Sequence, residues 1–217
     1  MTTAKAFTPA LGYDFLTGWY DLTIKLTMPE RKFRRLLVEQ IDPQPGEKIL
    51  EFGYGTGTNL LLVKEKCPDA DLRGLDIDPK VKEIAHRKLA KKRLHIPLYL
   101  YDGGVFPFAD ARFNKAYSCL VFHQLDENGK AACLGEIHRV LKKGGKLVIA
   151  DWGEAENWRM RLAFGLVQLL DGFKTTNANV QGRLPDFIRE AGFQNVAVAR
   201  SINTAIGTFS YFTADKT

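Results

Sequence analysis

Hydrophobic and polar residues follow two periods along the first 152 residues. Short runs of mostly apolar residues predict β-strands at 47–52, 71–77, 96–102, 115–122 and 146–151. Between them, apolar residues recur about every three to four positions, which predicts helices at 58–66, 79–93 and 128–141. Strands that alternate with helices indicate a parallel sheet with crossover helices. Strands that are apolar on both faces fit a sheet covered on both sides.

The pattern changes after Asp151. Helical spacing predicts helices at 154–170 and 184–191, and two runs rich in strand-forming residues follow at 195–202 and 206–214. These two runs are close enough along the chain to form an antiparallel pair. The fold class predicted is α/β: a doubly wound, mostly parallel, seven-stranded sheet that ends in an antiparallel hairpin.

Length and composition fit a single domain. The chain has 217 residues, of which 45% are hydrophobic, enough to bury a full core. No apolar run reaches the roughly 18 to 20 residues that a membrane-spanning helix needs, and the N-terminus lacks the features of a secretory signal. We therefore expect one domain, 1–217, in the cytoplasm. The three cysteines, Cys67, Cys119 and Cys133, form no Cys-x-x-Cys pair and are expected to be free buried thiols.

The net charge of +6 is unevenly distributed. Residues 79–93 contain seven lysines and arginines and one glutamate, and the helical spacing of Val81, Ile84, Ala85 and Leu89 places most of the basic residues on the opposite face. A solvated helix face explains this pattern, and so does attraction to an anionic membrane surface, an acidic substrate or nucleic acid. No aromatic residues alternate with the basic ones, which disfavours nucleic acid as a partner.

A glycine loop, "EFGYGTGTN" at 51–59, follows the first predicted strand. A phosphate-binding P-loop would need a lysine after Gly57, and none is present. A dinucleotide fingerprint that starts at Gly53 would need glycine or alanine at the position of Thr58. Both nucleotide-phosphate interpretations are therefore weak, and a purely structural turn is the remaining alternative for the loop taken alone.

Two acidic residues lie at the ends of neighbouring predicted strands. Asp76 closes the second strand, where a carboxylate can accept hydrogen bonds from both hydroxyls of a ribose. Asp102 closes the third strand and precedes Gly103 and Gly104, whose bare backbone would admit an adenine edge. Open α/β sheets bind ligands at this edge, so an adenosine-bearing ligand is implied. A helix cap or a turn anchor is the alternative role for each acid.

These motifs together carry a family resemblance. They are Glu51-x-Gly53-x-Gly55-x-Gly57, Gly74-Leu75-Asp76, Asp102, "FPFADARFN" (106–114), "SCLVFHQL" (118–125) and "EIHRVLKKGGKLVIADW" (136–152). The chain resembles the class I S-adenosylmethionine-dependent methyltransferases, a group with a Rossmann-like fold. It is most similar to the set that includes ubiquinone/menaquinone, arsenite and phospholipid-headgroup methyltransferases. The resemblance extends from about Tyr13 to the end and is strongest over 47–152.

The resemblance implies S-adenosylmethionine as cofactor, S-adenosylhomocysteine as product, and no metal. It places Glu51 near the ammonium end of the cofactor, Asp76 on the ribose and Asp102 on the adenine amino group. Further cofactor contacts are implied for Tyr20, Gly53, Gly55, Gly57, Ile77, Gly103 and Leu120. By the same resemblance, residues 1–45 form a helical lid, 46–152 the cofactor-binding core, and 153–217 the helices of the acceptor pocket and the terminal strands, with Trp152, Trp158 and Phe173 near the acceptor.

His123 is the candidate catalytic residue. Family members with His-His-Leu or a similar sequence here place a histidine beside the transferred methyl, which would make His123 a general base. A satisfied structural histidine is the alternative.

Departures from the family pattern limit the acceptor. The stretch "FHQLDE" after the fourth strand lacks the Arg-Asn-x-x-Asp of the quinone enzymes, which disfavours a quinone. The Asn/Asp-Pro-Pro-Tyr of enzymes that methylate nucleic-acid amino groups is also missing, and the cysteines do not cluster as an arsenite enzyme requires. The prediction is methyl transfer to a small molecule or lipid headgroup, with peripheral contact to an anionic membrane. A non-catalytic cofactor-binding protein and an RNA or protein methyltransferase are the alternatives.

Overall fold

The protein folds around one seven-stranded sheet. The structure is a computed structural model that describes residues 30–154, 160, 165, 178–204 and 207–217. The strands are β1 Lys48–Phe52, β2 Asp71–Asp76, β3 Leu98–Leu100, β4 Phe113–Cys119, β5 Leu141–Trp152, β6 Gln194–Thr204 and β7 Gly207–Asp215. Their order is β3-β2-β1-β4-β5-β7-β6. The first five are parallel and β7 is antiparallel to both of its neighbours, which confirms the predicted fold class.

Helices cover both faces of the sheet. They are α1 Glu30–Ile41, α2 Thr58–Lys66, α3 Pro79–Lys91, α4 Glu127–Val140 and α5 Leu184–Glu190. One buried cluster joins α1, α2 and α3 to the sheet, and a second joins α4 and α5 to the opposite face. Side chains alternate between the two clusters along each strand, as with Ile49 and Leu50 on β1. This double coverage explains why the central strands are apolar on both sides.

The strand limits differ from the prediction most in β3, β4 and β5. β3 covers only Leu98–Leu100, so Asp102 lies two residues beyond it, whereas Asp76 is the last residue of β2 as predicted. β5 begins at Leu141 rather than at 146, and its pairing with β4 shifts register between Phe113 and Lys115. β4 ends at Cys119 because Leu120 has a φ of +58°, which turns the chain out of the sheet.

Part of the prediction falls outside the described residues. Tyr20, Trp158, Phe173 and most of the predicted helix at 154–170 lie there, and the segment 1–45 is described only from Glu30 onward. In the part of the chain that is described, no helix is long and apolar enough to cross a membrane. Cys67, Cys119 and Cys133 are free and buried, as predicted.

Candidate active site

The glycine loop connects β1 to α2, and each of its glycines meets a different constraint. Gly53, Gly55 and Gly57 have φ values of +73°, +50° and +74°, a region that side chains disfavour. A Cβ on Gly53 would lie 2.2 Å from Cγ2 of Val121, and one on Gly57 would lie 3.1 Å from Cβ of Ala85. A Cβ on Gly55 would meet no atom within 4 Å. Gly53 is therefore required by packing, whereas Gly55 faces the open space that a ligand needs.

Asp76 ties the end of β2 to this loop. Its Oδ2 accepts a 2.8 Å hydrogen bond from the Gly55 amide, and its Oδ1 accepts from the amides of Ile77 (2.8 Å) and Asp78 (3.1 Å). Burial raises the pKa of Asp76, and the three amide bonds act in the opposite direction. An ionised carboxylate can accept about four hydrogen bonds, so one further donor can still bind.

Asp102 and Gly103 lie beside Ile77 at the same edge of the sheet. Asp102 is exposed and its Oδ1 accepts a 3.0 Å bond from the Gly104 amide. Gly103 has a φ of +89°, and a Cβ there would lie 3.7 Å from Cδ1 of Ile77. The structure thus brings three of the predicted cofactor contacts, Ile77, Asp102 and Gly103, next to Asp76.

Glu51 is enclosed behind the glycine loop. It is fully buried, with Oε1 accepting from Asn59 Nδ2 (2.9 Å) and Oε2 accepting from the Tyr117 hydroxyl (3.1 Å). Burial raises its pKa to about 8, although these two bonds and the charge of Arg34 lower it. Arg34 on α1 donates to Asn59 Oδ1 at 2.5 Å, so a chain of polar contacts leads from α1 to Glu51.

His123 forms a buried pair with Asp151. His123 lies in a short 3-10 turn, Phe122–Gln124, and its Nδ1 is 2.7 Å from Asp151 Oδ1. Both side chains are fully buried. Because a carboxylate only accepts hydrogen bonds, Nδ1 carries the proton and Nε2 carries the lone pair. This is the tautomer that a general base requires.

Asp151 also fixes the backbone of that turn. Its Oδ2 accepts from the amides of Val121 (3.2 Å), Phe122 (2.7 Å) and His123 (3.3 Å), and its Oδ1 accepts from Trp152 (2.7 Å). These amides belong to the turn that leaves β4 after Leu120 and to the end of β5. The sequence interpretation gave Asp151 no function, although an acid at the end of a strand was the signal that identified Asp76.

A buried lysine lies next to the pair. Lys130, in the first half of α4, is 0% exposed, and its Nζ donates to the carbonyl oxygen of Leu125. Burial lowers its pKa to about 8, while the charges of Asp151, Asp126 and Glu127 act in the opposite direction. Sequence reasoning missed Lys130, because a lysine near the start of an amphipathic helix is usually solvent-exposed.

No metal centre accompanies these groups in the part of the chain that the structure describes: no three His, Cys, Asp or Glu side chains there are placed to hold an ion. The site consists of an open glycine loop, acids at the strand ends and a buried His–Asp pair. These parts meet where β1, β2, β4 and β5 end.

Comparison with known proteins identifies the family. The family described as "Methyltransferase domain" matches residues 49–145. A demethylmenaquinone methyltransferase of Thermus thermophilus is 32% identical over 150 residues, which cover 68% of this chain and 66% of that protein. A similar enzyme of Renibacterium salmoninarum is 34% identical over 143 residues, which cover 56% of its own length. The chain thus spans less than two thirds of these relatives.

Solved structures share the fold. A SAM-dependent methyltransferase from Aquifex aeolicus superposes with a TM-score of 0.65 at 18% identity, covering 90% of this chain and 97% of that one. The cyclase SpnF superposes with a TM-score of 0.67 at 16% identity, covering 85% of this chain and 80% of that one. Together, the matched methyltransferase domain and the sequence relatives show that this chain, which has the fold of these structures, belongs to the class I S-adenosylmethionine-dependent methyltransferases.

Proposed function

We propose that the protein transfers a methyl group from S-adenosylmethionine to a small-molecule acceptor, with His123 as the general base. The observation that carries this proposal is the contact between the glycine loop and the turn that holds His123. Val121, two residues before His123, occupies the space beside Gly53. The cofactor loop and the base are therefore held against each other by packing.

The cofactor fits the residues at this edge of the sheet. Gly55 offers open space, Asp76 has one hydrogen-bonding position left, and Asp102 with Gly103 presents a carboxylate and bare backbone. When bound, the cofactor supplies a methyl group already activated on a sulfonium. It carries no phosphate, so the loop needs no fixed positive charge.

His123 would take the proton that the acceptor loses. Nε2 carries the lone pair, and Asp151 stabilises the imidazolium that forms when Nε2 is protonated. A positioned base of this kind contributes about 10²- to 10⁴-fold to the rate. Alignment of the acceptor against the bound cofactor supplies the rest of the rate enhancement.

The class of acceptor that we propose is a small molecule or a lipid headgroup. The sequence relatives are named as demethylmenaquinone methyltransferases, which supports a small acceptor. The absence of Arg-Asn-x-x-Asp after β4 argues against the quinone itself.

Methyl transfer is tested with donor labelled on the methyl group and fractions of lipid and small-molecule extract. The wild-type protein should label one fraction, and His123→Ala should lower the rate by 10² or more, about the lower limit for a positioned base, while binding S-adenosylhomocysteine normally. His138→Ala is the matched control, since His138 lies on α4, outside the proposed site, and is half-buried. Equal rates in His123→Ala and wild type would leave His123 a structural residue. Cofactor binding without labelling of any fraction would favour a non-catalytic cofactor-binding protein.

We also propose that the edge formed by α3 and β3 rests on an anionic membrane. Lys91, Lys92 and Arg93 are exposed at the end of α3. Three of the large hydrophobic side chains exposed in the described ranges belong to α3, to β3 or to the loop that follows β3: Ile84 (40%), Leu100 (37%) and Val105 (73%). Exposed basic and aliphatic side chains suit an anionic bilayer, because the charges attract its headgroups and the aliphatic groups enter its boundary.

Vesicle sedimentation tests the membrane proposal. Vesicles that contain anionic phosphatidylglycerol should bind the protein, vesicles of neutral phosphatidylcholine should not, and salt should weaken binding. Replacing Lys91, Lys92 and Arg93 with glutamine should weaken binding about fivefold per charge. Lys48, Lys143 and Arg200 are exposed elsewhere, and their replacement with glutamine is the control. Equal binding to both kinds of vesicle, or tighter binding to a polynucleotide, would contradict a membrane role.

A further inference from the structure

Lys130 is an unusual lysine because it is fully buried near charged groups. No other lysine or arginine in the described ranges is buried to this degree. Its amide donates to the Asp126 carbonyl oxygen at 2.8 Å in the first turn of α4. A lysine buried in this way is costly unless an opposite charge compensates it.

The Lys130 ammonium contacts the turn that carries the His123 imidazole. Lys130 Nζ donates to the carbonyl of Leu125, the residue that ends the 3-10 turn carrying His123. Asp151 accepts the amides at the start of that turn and the Nδ1 proton of His123. Lys130 and Asp151 thus hold the two ends of one short segment.

Asp151 is a buried carboxylate whose charge compensates that of Lys130. The charge of Asp151 favours the ammonium form of Lys130 more strongly than those of Asp126 and Glu127 do. Asp126 already accepts the Gly129 amide at 2.8 Å, and Glu127 pairs with Arg183 at 2.7 Å. The nearby thiol of Cys119 is neutral, because burial raises its pKa to about 12. One carboxylate therefore serves two basic groups.

We propose that Lys130 is a positioning residue that keeps His123 neutral, so that Nε2 is ready to accept a proton. With Asp151 negative and Lys130 positive, the buried cluster is neutral only while His123 is uncharged. A proton on His123 would place a second positive charge in the same buried cluster, and a nearby like charge opposes such protonation. The inference rests on the proposed role of His123 as a base.

The test is an NMR titration of the His123 imidazole, which requires no methyl transfer. Lys130→Met should raise the pKa of His123 by about one pH unit or more, and Lys130→Arg should restore it toward the wild-type value. Leu134→Ala, at a fully buried position on the same helix, is the control for loosened packing and should leave the His123 pKa unchanged. Once an acceptor that the protein methylates is known, kcat can be plotted against pH. The acidic side of that plot should shift to higher pH by the same amount in Lys130→Met and in no other variant of this set.

An unchanged His123 pKa in folded Lys130→Met would overturn the proposal. If Lys130→Met does not fold, the coupling between Lys130 and His123 is tested by titrating the wild-type protein instead. Loss of the Lys130 proton near pH 8 should then shift the His123 resonances, and flat resonances between about pH 7 and 9 would contradict the coupling. Failure of His123→Ala to slow methyl transfer would refute the base but not this coupling, so the two failures are distinguishable.

Discussion

Val121 occupies the position that a side chain at Gly53 would need: a Cβ on Gly53 would lie only 2.2 Å from Val121 Cγ2. The glycine loop and the turn with His123 therefore pack against each other without a gap. The two segments come from different crossovers of the sheet, and the parallel pairing of β1 with β4 brings them together.

Gly53→Ala should disrupt this contact. The added methyl meets Val121 and also forces alanine into a φ of +73°. We expect the free energy of unfolding to fall by roughly 2 kcal/mol or more, measured by urea denaturation. Gly55→Ala, with no atom within 4 Å of its Cβ, is the control and should lose only the cost of its positive φ. Adding Val121→Ala to Gly53→Ala should recover part of the loss, and no recovery would show that Val121 is not the obstacle.

Asp76→Asn should weaken cofactor binding. Asparagine keeps the shape of the side chain, but it replaces one acceptor oxygen with a donor that opposes the amides and the one ribose hydroxyl that Asp76 can still bind. We expect a loss of about 1 to 3 kcal/mol in the binding of S-adenosylhomocysteine, measured by calorimetry. Asp71→Asn, at the other end of β2, is the control and should bind normally. Unchanged affinity in Asp76→Asn would remove this residue from the site.

Glu51 should make stability decrease as the pH rises. Burial raises the folded pKa of Glu51 from 4.5 to about 8, so the folded state retains a proton that the unfolded chain loses. Unfolding is then favoured progressively as the pH increases from about 4.5 to 8. Glu51→Gln should flatten this slope in urea denaturation, whereas Glu47→Gln, just before β1, should retain it. A slope of the same size in Glu51→Gln would assign the effect to other groups.

Asp151→Asn should impair stability and catalysis together. Asparagine presents one acceptor and one donor where five donors now converge, so amides at the end of β4 lose their partner. We expect a loss of at least about 2 kcal/mol in the free energy of unfolding, and a lower rate because His123 loses its tautomer. His123→Ala should also lower the rate, but it should remain more stable than Asp151→Asn. Equal stability of Asp151→Asn and wild type would show that the turn holds its shape without the carboxylate.

The sequence predicted those parts of the fold that depend on local pattern. Apolar strands covered on both faces, the helix that Pro79 opens and the acid at the end of β2 all follow from short stretches of residues. The limit of β4 could not be predicted in this way. The amides of Val121 and Phe122 bond to Asp151, which is about thirty positions away along the chain, and Leu120 adopts a φ of +58° to allow it.

In the candidate site, too, the features set by local sequence were predicted and those set by long-range contacts were not. Gly55 and Asp76 were predicted from the loop and the strand end, and the structure joins them by a 2.8 Å hydrogen bond. Lys130 and Asn59 were missed, because their burial depends on which helix face meets the sheet and which distant acid lies there. Glu51 was expected at the ammonium of the cofactor, and its enclosure by Asn59 and Tyr117 is a long-range result of β1 pairing with β4.

Calorimetric titration of the full chain with S-adenosylhomocysteine, and separately with NAD, tests the central claim most directly. The glycine loop lacks phosphate-binding residues and is joined to Asp76. We therefore predict one binding site for S-adenosylhomocysteine, with weaker binding in Asp76→Asn, and no binding of NAD. Binding of NAD without binding of S-adenosylhomocysteine would contradict the assignment of this loop to the methyl donor.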